Sequence, residues 1–446
     1  MLKPYPKYKE TPALWLNSIP NHWESHKIRE LFIERSIKVS DKDYPPLSVS
    51  KAGVVPQIAT VAKTNDGDNR KLVKKGDFAI NSRSDRRGSS GISNYDGSVS
   101  LINIVLKPRS FVNGRYMHYL LKSHYFIEEF YRNGRGIVAD LWTTRYTEMK
   151  SIYLPVPSIE EQDQIVSFLD WKLAKINKLI QAKKKQIALL NEQKQVIIHN
   201  AVTKGVDPNV PMKDSGIEWI GQIPQEWVVN RLKTQISLST SKKNRDNEFY
   251  VGMENIQSWT GKYVSTTEID SEGICNIFEN NNILFGKLRP YLAKVYLTEN
   301  NGVCSSEFLV LKNFNGILRY MFYILLSYKF IDLVNSSTYG AKMPRANWSF
   351  IGNCNIPIPS LEDQNRIASY LDEKCYKIEN LKGKIQNEID LLYEYRTRLI
   401  SDVVTGKVDV RDIEIPEYEG YSDETINGEI DDNIVLEEEG GEMEVE

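Results

Sequence analysis

The sequence predicts an α+β fold in which two mixed α/β modules are separated by two long antiparallel coiled-coil helices, related by an internal pseudo-twofold repeat. Three observations predict it. The sequence contains an internal duplication, each copy ends in a long amphipathic segment, and the part before that segment alternates short β-type runs with turns. The expected boundaries are 1–157 (first module), 158–204 (first helix), 205–359 (second module), 360–405 (second helix) and 406–446 (acidic tail).

The repeat is visible in the residues themselves. The segment from Trp15 to Trp23 returns as Trp219 to Trp227, both reading Trp-x-x-x-Ile-Pro-x-x-Trp. The longest copy runs from Leu154 to Asp207 against Ile356 to Asp409, with roughly two in five positions identical and no gap. This is a duplication of one architectural unit.

The first part of each copy has mixed character. Short apolar runs at 78–80, 101–106 and 308–311 are typical of strands, and Gly, Asn and Ser residues separate them. One helix is predicted in each module, over 116–130 and 320–334. The middle portions of the two modules hardly match in sequence.

The second part of each copy is helical. Ser158 with Glu161, and Ser360 with Asp363, have capping-box spacing after an extended Pro-x-Pro entry. Apolar residues then recur at steps of three and four, which predicts helices of about 44 residues, or roughly 65 Å. The predicted apolar stripes are Ile165, Leu169, Leu173, Ile176, Ile180, Ile187, Leu190, Ile197 and Ala201, and Ile367, Leu371, Cys375, Ile378, Leu381, Ile385, Ile389, Leu392, Leu399 and Val403.

A helix of this length must bury its stripe, and the other copy is the simplest partner because duplication makes the two lengths equal. Two separate helical hairpins or a repeat solenoid are the alternatives. Two copies are too few for a solenoid, so we favour an antiparallel pair. The run Lys183-Lys184-Lys185 is interpreted as a solvated helix face.

The net charge of −2 hides an asymmetry. Residues 412–446 hold 15 acidic residues and no Lys or Arg, which leaves 57 basic and 44 acidic residues before them, a net charge of +13. Residues 1–411 are therefore basic enough to suit a polyanionic partner such as nucleic acid. The alternative interpretation is that these charges only solvate the surface. The tail is expected to be disordered.

The composition also indicates where the protein works. The sequence has no apolar run long enough to span a membrane and no signal-type start, so a cytoplasmic protein is expected. The cysteines follow no metal-ligand or disulfide spacing and are interpreted as reduced thiols: Cys275, Cys304, Cys354 and Cys375.

Motifs for catalysis are missing from the sequence. It contains no phosphate-binding loop, no His-Glu-x-x-His and no glycine loop suited to S-adenosylmethionine, and the five histidines form no ligand set. Asp43-Tyr44-Pro45-Pro46 has the composition of an adenine-methylation motif in the wrong order, because the aromatic residue must follow the prolines to stack on a flipped base. We therefore expect a non-catalytic chain with no metal and no cofactor of its own.

Several of these segments resemble one family. Residues 155–162 (Pro-Val-Pro-Ser-Ile-Glu-Glu-Gln) and 357–364 (Pro-Ile-Pro-Ser-Leu-Glu-Asp-Gln) are similar to the opening of the conserved helices in Type I restriction-modification specificity subunits. The opening Ile-Pro-x-x-Trp and the segments 283–294, 304–308 and 339–344 resemble the same family. The resemblance extends to about residue 410. Residues 76–83 depart from it, which weakens the transfer of contacts to the first module.

The resemblance implies a role in host defence through DNA methylation and restriction. Each module would be a target-recognition domain for one half of a bipartite, non-palindromic DNA site. The helices would set the gap, at most about 20 base pairs for a ~65 Å rod, and dock two methyltransferase (M) subunits, which two restriction/motor (R) subunits can join. Methyl donor and ATP would belong to those partners.

Side chains that read DNA are expected in basic Gly/Ser/Asn-rich loops, because Lys and Arg bind phosphates while Arg, Lys and Asn read base edges. Loops 134–136 and 340–342, which precede the helices at matching places, are the strongest candidates. The candidates of the first module are Lys63, Asn65, Arg70, Arg83, Arg86, Arg87, Arg132, Arg135 and Arg145. Those of the second are Lys242, Lys243, Asn244, Arg245, Lys287, Arg289, Tyr291, Lys342, Arg345 and Asn347.

Two other functions remain as alternatives. A coiled-coil adaptor that binds proteins through its globular ends would explain the helices, but not the basic body and loops. A self-contained methyltransferase or nuclease would need the motifs that the sequence lacks.

Overall fold

The computed structural model describes residues 2–57, 67–136, 142–245, 248–266, 273–340 and 342–417. It divides into two compact units, unit 1 (Met1–Lys183 with Asn387–Glu446) and unit 2 (Lys184–Gln386). Each unit contains one module, the part of one long helix next to that module, and the far part of the other helix. The compact units therefore differ from the successive segments expected from the sequence, because the division falls within the two long helices.

The module of unit 1 consists mainly of short strands. Their bounds are β1 Tyr8–Glu10, β2 Ser18–Pro20, β3 Glu24–Lys27, β4 Phe32–Glu34, β5 Lys38–Val39, β6 Leu47–Ser50, β7 Gly53–Pro56, β8 Arg70–Val73, β9 Phe78–Asn81, β10 Ser90–Ile92, β11 Gly97–Val99, β12 Asn103–Pro108 and β13 Tyr153–Val156. They form sheets in the orders β10-β9-β12-β4 and β11-β8-β5 and the pairs β1-β2, β3-β13 and β6-β7. Val73, Val99 and Val105 are buried together, as suits β-branched residues in strands.

The module of unit 2 has a similar set of strands. Their bounds are β14 Met212–Asp214, β15 Gln222–Pro224, β16 Val228–Arg231, β17 Ser237–Leu238, β18 Lys242–Asn244, β19 Tyr250–Val251, β20 Ile274–Phe278, β21 Ile283–Gly286, β22 Val295–Leu297, β23 Gly302–Cys304, β24 Phe308–Lys312 and β25 Asn355–Ile358. The sheet orders are β17-β24-β21-β22 and β18-β20-β23-β19, with pairs β14-β15 and β16-β25. The four-stranded sheet β17-β24-β21-β22 repeats the order of β4-β12-β9-β10, so the duplication extends through modules whose sequences have diverged.

The helix predicted in each module is two helices. The short helices are α1 Ile28–Leu31, α2 Gly114–Leu121, α3 His124–Arg132, α4 Tyr146–Met149, α6 Leu232–Gln235, α7 Leu318–Leu326, α8 Tyr328–Ser336 and α9 Trp348–Ile351. The breaks fall at Ser123 and Ser327, whose backbones are extended. Ser123 accepts from the N–H of Phe126 and thereby caps α3. The prediction of one continuous helix was wrong. The apolar spacing continues without interruption across the serine, so the sequence pattern does not show that a new helix begins there.

The two long helices are α5, Ile159–Lys204, and α10, Leu361–Val404, each beginning one residue after its predicted cap serine. Within unit 1, Lys183 forms an ion pair with Glu388, and Gln164 donates to Val410 O and Ile413 O, both at 2.9 Å. Within unit 2, the Lys194 ammonium donates to Glu379 at 2.8 Å, whereas Gly205 lines a cleft with Arg366. In each unit, positions that rise along α5 and the residue after it face positions that fall along α10 and the residues after it, so the helices are antiparallel in each unit.

Most of the predicted apolar stripe is buried. The interior contains Ile165, Leu169, Leu173, Ile176, Ile180 and Ala201 of α5, and Ile367, Leu371, Ile378, Ile385, Ile389, Leu399 and Val403 of α10. Ile187 and Leu190, near the middle of α5, are only partly buried. Leu381 was predicted inside the stripe, but 43% of it is exposed.

The residues that coincide between the copies hold each module onto its helix. Gln162 accepts from the N–H of Asn113 at 2.8 Å and donates to Pro157 O, and Gln364 repeats both bonds with Ile317 and Pro359. Both amides are almost fully buried. A buried amide must satisfy its donor and its acceptor, so the repeated glutamines are explained by packing.

A second repeated contact involves an aspartate on each long helix. Asp170 accepts from Tyr119 at 2.5 Å and from Arg115 at 3.0 Å. Asp372 accepts from Tyr323 at 2.6 Å and from Arg319 at 2.7 Å. The same triad therefore joins α2 to α5 in unit 1 and α7 to α10 in unit 2.

Both helices end at a glycine with a left-handed backbone, Gly205 with φ 75° and Gly406 with φ 76°. A Cβ on Gly406 would lie 2.4 Å from Pro20 Cδ, so a side chain has no room there. The following residues pack onto the module: Asp409 bridges Lys3, and Val410 is fully buried. The expectation that disorder begins at 406 is corrected by these contacts. Residues 418–446 lie outside the described residues.

Candidate nucleic-acid interface

Two predicted basic clusters of the second module lie side by side in unit 2. Arg345 forms β-bridges to both Leu288 and Tyr339. The backbone N–H of Arg289 donates to Pro344 O at 2.7 Å, and that of Ala346 donates to Lys287 O at 2.9 Å. We call the described residues of 287–291 and 339–347 platform 2.

The turn in platform 2 is held in an uncommon conformation. Arg289 and Ala293 have left-handed backbones with φ of 47° and 46°, each costing on the order of 1–2 kcal/mol for a residue with a Cβ. The Gly286 N–H donates to Lys294 O at 2.8 Å and closes the turn. Because the surrounding bonds fix this strained geometry, Arg289 and Tyr291 are presented at the surface by a rigid support.

Platform 2 exposes cations together with aromatic and apolar side chains. Arg289 and Lys342 are exposed, and the exposed fractions of Tyr291, Tyr339 and Met343 are 45%, 65% and 43%. The exposed Asn347 uses its side-chain oxygen to cap α9 through the N–H of Ser349. Cations can bind phosphates while flat or apolar side chains contact bases, so this surface has the chemistry of a nucleic-acid reader.

Arg345 is held by a carboxylate that sequence reasoning did not assign. Its Nε lies 3.2 Å from both oxygens of Glu307, and its Nη2 lies 3.1 Å from Oε1. The hydrogen bond to Glu307 raises the pKa of Arg345. Glu307 lies directly before β24 in the 304–308 segment. An isolated Glu before a strand does not indicate a functional role. The only indication in the sequence was that Glu307 lies in a segment that resembles the family.

The first module has an equivalent surface. Thr143 bridges both Arg83 and Arg135, as Arg345 bridges Leu288 and Tyr339. The Ser84 N–H donates to Trp142 O at 3.1 Å, which joins the same segments. We call residues 83–87, 135–136 and 142–145 platform 1; residues 137–141, between them, are not described.

Several arginines of platform 1 have acidic neighbours. Arg83 pairs with Asp85 at 3.1 Å and Arg87 with Glu128 at 3.0 Å, and Arg135 lies 3.9 Å from Glu148. Surface pairs contribute only about 0–1 kcal/mol. The carboxylates of Asp85 and Glu128 are 43% and 47% exposed, so Arg83 and Arg87 can exchange them for a phosphate at low cost. Arg86 and Arg145 are exposed on the same surface.

A cleft of about 880 Å³ adjoins platform 1. Trp15, Tyr125, Tyr131 and Trp142 form its aromatic wall. The described residues that line the cleft include three acidic ones, Asp85, Glu128 and Glu129, and two basic ones, Arg87 and Arg132. Arg132, a predicted DNA contact, forms an ion pair with Glu129 at 2.6 Å.

The structure places other candidates away from the platforms. Arg70 is only 3% exposed, and its guanidinium donates to Ser98 Oγ at 2.9 Å and to Ser98 O at 3.0 Å. Burial lowers its pKa. Arg70 therefore acts in the core, which argues against the predicted DNA contact. Lys63 and Asn65 lie outside the described residues.

The remaining cluster lies on and after strand β18, in the sheet β18-β20-β23-β19. Lys242 and Asn244 are exposed. Lys243 forms an ion pair with Glu248, and the Arg245 guanidinium lies 4.5 Å from the centre of the Tyr250 ring. These residues form a basic strand edge separate from the bridged segments of platform 2.

Within the described ranges, no three His, Cys, Asp or Glu residues are grouped as a metal site would need. Burial lowers the pKa of His118 to about 3 and of His199 to about 4, and raises that of Cys304 to about 12. Cys304 lies in the core, whereas His118 and His199 are partly buried. In the part of the chain that the structure describes, no helix is both long and apolar enough to span a membrane.

A family model described as the type I restriction modification DNA specificity domain matches residues 20–189 and 226–391, more than half of the chain. The chain belongs to the type I restriction-modification specificity-subunit family. Each matched region contains one platform and more than half of one long helix. The EcoDI specificity subunit of Escherichia coli is 21% identical over 345 residues, which cover 72% of this chain and 76% of that relative.

Solved structures show that this specificity-subunit family member shares a known fold. A chain from a type I restriction-modification system, solved in work on complex assembly and conformational transition, aligns with a TM-score of 0.61 at 13% identity. It covers 87% of this chain and 99% of the other. The HsdS subunit from Thermoanaerobacter tengcongensis aligns with a TM-score of 0.50 at 14% identity, covering 90% and 100%. The predicted α+β fold is thus confirmed.

Proposed function

We propose that this specificity subunit reads DNA without catalysing a reaction, and that each module reads one half of a bipartite site. One observation carries the proposal: both modules join separate loops into a basic platform by the same pair of β-bridges. The supporting segments are equivalent, whereas the side chains differ. Two readers with one framework and different side chains suit a site with two different halves.

Charge supports the same proposal. The chain before residue 412 carries a net charge of +13. Exposed arginines lie on both platforms, and platform 2 adds the exposed Lys342. Phosphate contacts from such residues supply most of the sequence-independent affinity for DNA. An adaptor that binds proteins through its globular ends has no need of this charge.

The long helices offer two equivalent patches for a pair of identical partners. Leu179 and Leu391 are 46% and 62% exposed in unit 1, and each lies about one turn from the Lys183–Glu388 ion pair. Unit 2 has the counterparts Leu381 and Leu189, 43% and 53% exposed. Single exposed leucines are common on protein surfaces, but apolar side chains that recur together at equivalent places are typical of a protein contact. Two methyltransferase subunits would dock here, and the helices would set the spacing of the half-sites.

The catalytic chemistry is proposed to belong to those partners. The methyltransferase subunits would bind the methyl donor, and restriction subunits, where present, would use ATP. Mixing the purified chain with S-adenosylmethionine and target DNA should then give no methyl transfer until methyltransferase subunits are added. Transfer by the chain alone would contradict this assignment and favour a self-contained methyltransferase.

Lys342→Ala tests the DNA contact of platform 2. We expect DNA affinity of the complex to fall by about 1 kcal/mol, roughly fivefold, on every sequence, and the slope of log K against log salt to decrease by about one unit. Binding is measured by fluorescence anisotropy at several salt concentrations. Lys377→Ala, an exposed lysine on α10, is the matched control and should change neither quantity. Unchanged affinity of the Lys342 variant at low and high salt would remove Lys342 from the interface.

A further inference from the structure

One arginine of platform 2 differs from the other cations in how it is held. Arg345 is fixed in the backbone by bridges to Leu288 and Tyr339. Its side chain is fixed by two atoms, Nε and Nη2, that face the Glu307 carboxylate at 3.1–3.2 Å. The side chain of Arg345 is 35% exposed and that of Glu307 is 22% exposed, so the pair lies half-buried at the surface.

We propose that Glu307 is a positioning residue which presents Arg345 to a guanine in the half-site read by the second module. The inference rests on the proposed function and deepens it by naming one base and the residues that select it. The contact with Glu307 makes Arg345 a base reader instead of a phosphate contact.

The geometry of the guanidinium supports a base contact. A guanidinium carries five N–H donors in a planar fork. With the Nε and Nη2 edge occupied by Glu307, the edge formed by Nη1 and Nη2 has no other partner among the described residues. Two parallel donors on one edge match the O6 and N7 acceptors that guanine presents in the major groove.

Charge favours the base over the backbone. The Glu307 carboxylate offsets the positive charge of Arg345, and it would repel a phosphate brought close to the same guanidinium. A base edge carries no net charge, so its hydrogen bonds are affected far less by the carboxylate. Arg289 and Lys342, for which the described residues show no ion pair, are better suited to phosphates.

The first module lacks this pair at the equivalent positions. Thr143 makes the bridges that Arg345 makes in the second module. Ile102 O accepts from the N–H of Ser82, as Glu307 O accepts from the N–H of Lys287. Thr143 and Ile102 therefore occupy the places of Arg345 and Glu307. The guanine contact is expected in one half of the site only.

The experiment compares Arg345→Lys and Glu307→Gln with the wild type, expressed with the methyltransferase subunits in a host that lacks this gene. Long-read sequencing of methylated adenines gives the recognition motif of each. We expect one guanine position, in one half of the motif, to lose discrimination on the order of 10- to 100-fold in both variants. Lysine keeps the charge but cannot form the paired bonds.

Glu128→Gln is the matched control, because it also removes a carboxylate paired with an arginine, Arg87 in unit 1. Its motif should keep that guanine. Recovery of soluble complex with wild-type melting temperature shows that the variants fold, and a variant that fails this check is replaced by Glu307→Ala.

A motif identical to wild type in both variants, or uniformly weaker binding with a lower salt slope, would overturn the guanine contact. A wild type without any gene-dependent split motif would instead overturn the proposed function.

Discussion

Changing Leu179 and Leu391 together to aspartate is expected to reduce the methyltransferase content of the complex from two subunits to one. Both side chains are exposed in unit 1, on opposite helices but at the same level of the antiparallel pair. Burying two carboxylates in an apolar contact, with loss of two leucines, should weaken docking by about 4 kcal/mol or more, on the order of 1,000-fold. Native mass spectrometry of the purified complex counts the bound subunits.

The counterpart pair in unit 2 provides an internal comparison. Leu189→Asp with Leu381→Asp should also leave one methyltransferase subunit, and all four changes together should leave none. Leu14→Asp is the surface control, because Leu14 is 82% exposed on the first module and should not affect docking. If either double variant still bound two methyltransferase subunits, the docking surface would lie elsewhere on the chain.

Glu161→Ala is expected to lower the free energy of unfolding of unit 1 by about 3–5 kcal/mol. Only 6% of Glu161 is exposed, and its carboxylate accepts from Tyr5 at 2.7 Å, Trp23 at 3.0 Å and His22 at 2.8 Å. Removal would leave the buried phenol and indole donors of Tyr5 and Trp23 without an acceptor. Hydrogen exchange should show the loss as faster exchange in residues 3–10 and 406–410.

The duplication supplies a matched control for that variant. Asp363 occupies the position of Glu161 in the second copy, but its carboxylate bonds Ser360 and Arg366 near the surface. Asp363→Ala should therefore lower the free energy of unfolding by about 1 kcal/mol or less, chiefly through helix capping. Equal effects of the two substitutions would show that the Glu161 cluster has no special role in joining the first module to its helix.

Much of the fold could be predicted because the duplication makes its physical requirements visible twice. Buried residues such as Gln162 and Gln364 keep the same partners in both units, so they coincide in sequence. The capping prediction at Glu161 was right only in part. Its N–H does bond Ser158 Oγ at 3.3 Å, but its carboxylate turns toward the module because Tyr5 and Trp23 need an acceptor there.

The arrangement of the site could be predicted less well, because it depends on contacts between residues distant in sequence. Arg345 and Leu288 belong to separate basic clusters, and only the bridge between them forms platform 2. The sequence around Arg70 is typical of a basic loop, but Arg70 begins strand β8 and its side chain is buried against Ser98. Leu381 fits the apolar period of α10 but is exposed. Periodicity identifies an apolar face, whereas the partner helix decides how much of it is covered.

Long-read sequencing of methylated adenines in the host with and without this gene shows whether the two modules read the two halves of one split site. We expect that one motif with two different fixed halves, separated by a constant gap, disappears on deletion of the gene and returns with a plasmid copy. An unchanged methylation pattern, or loss of a single uninterrupted palindrome, would contradict it.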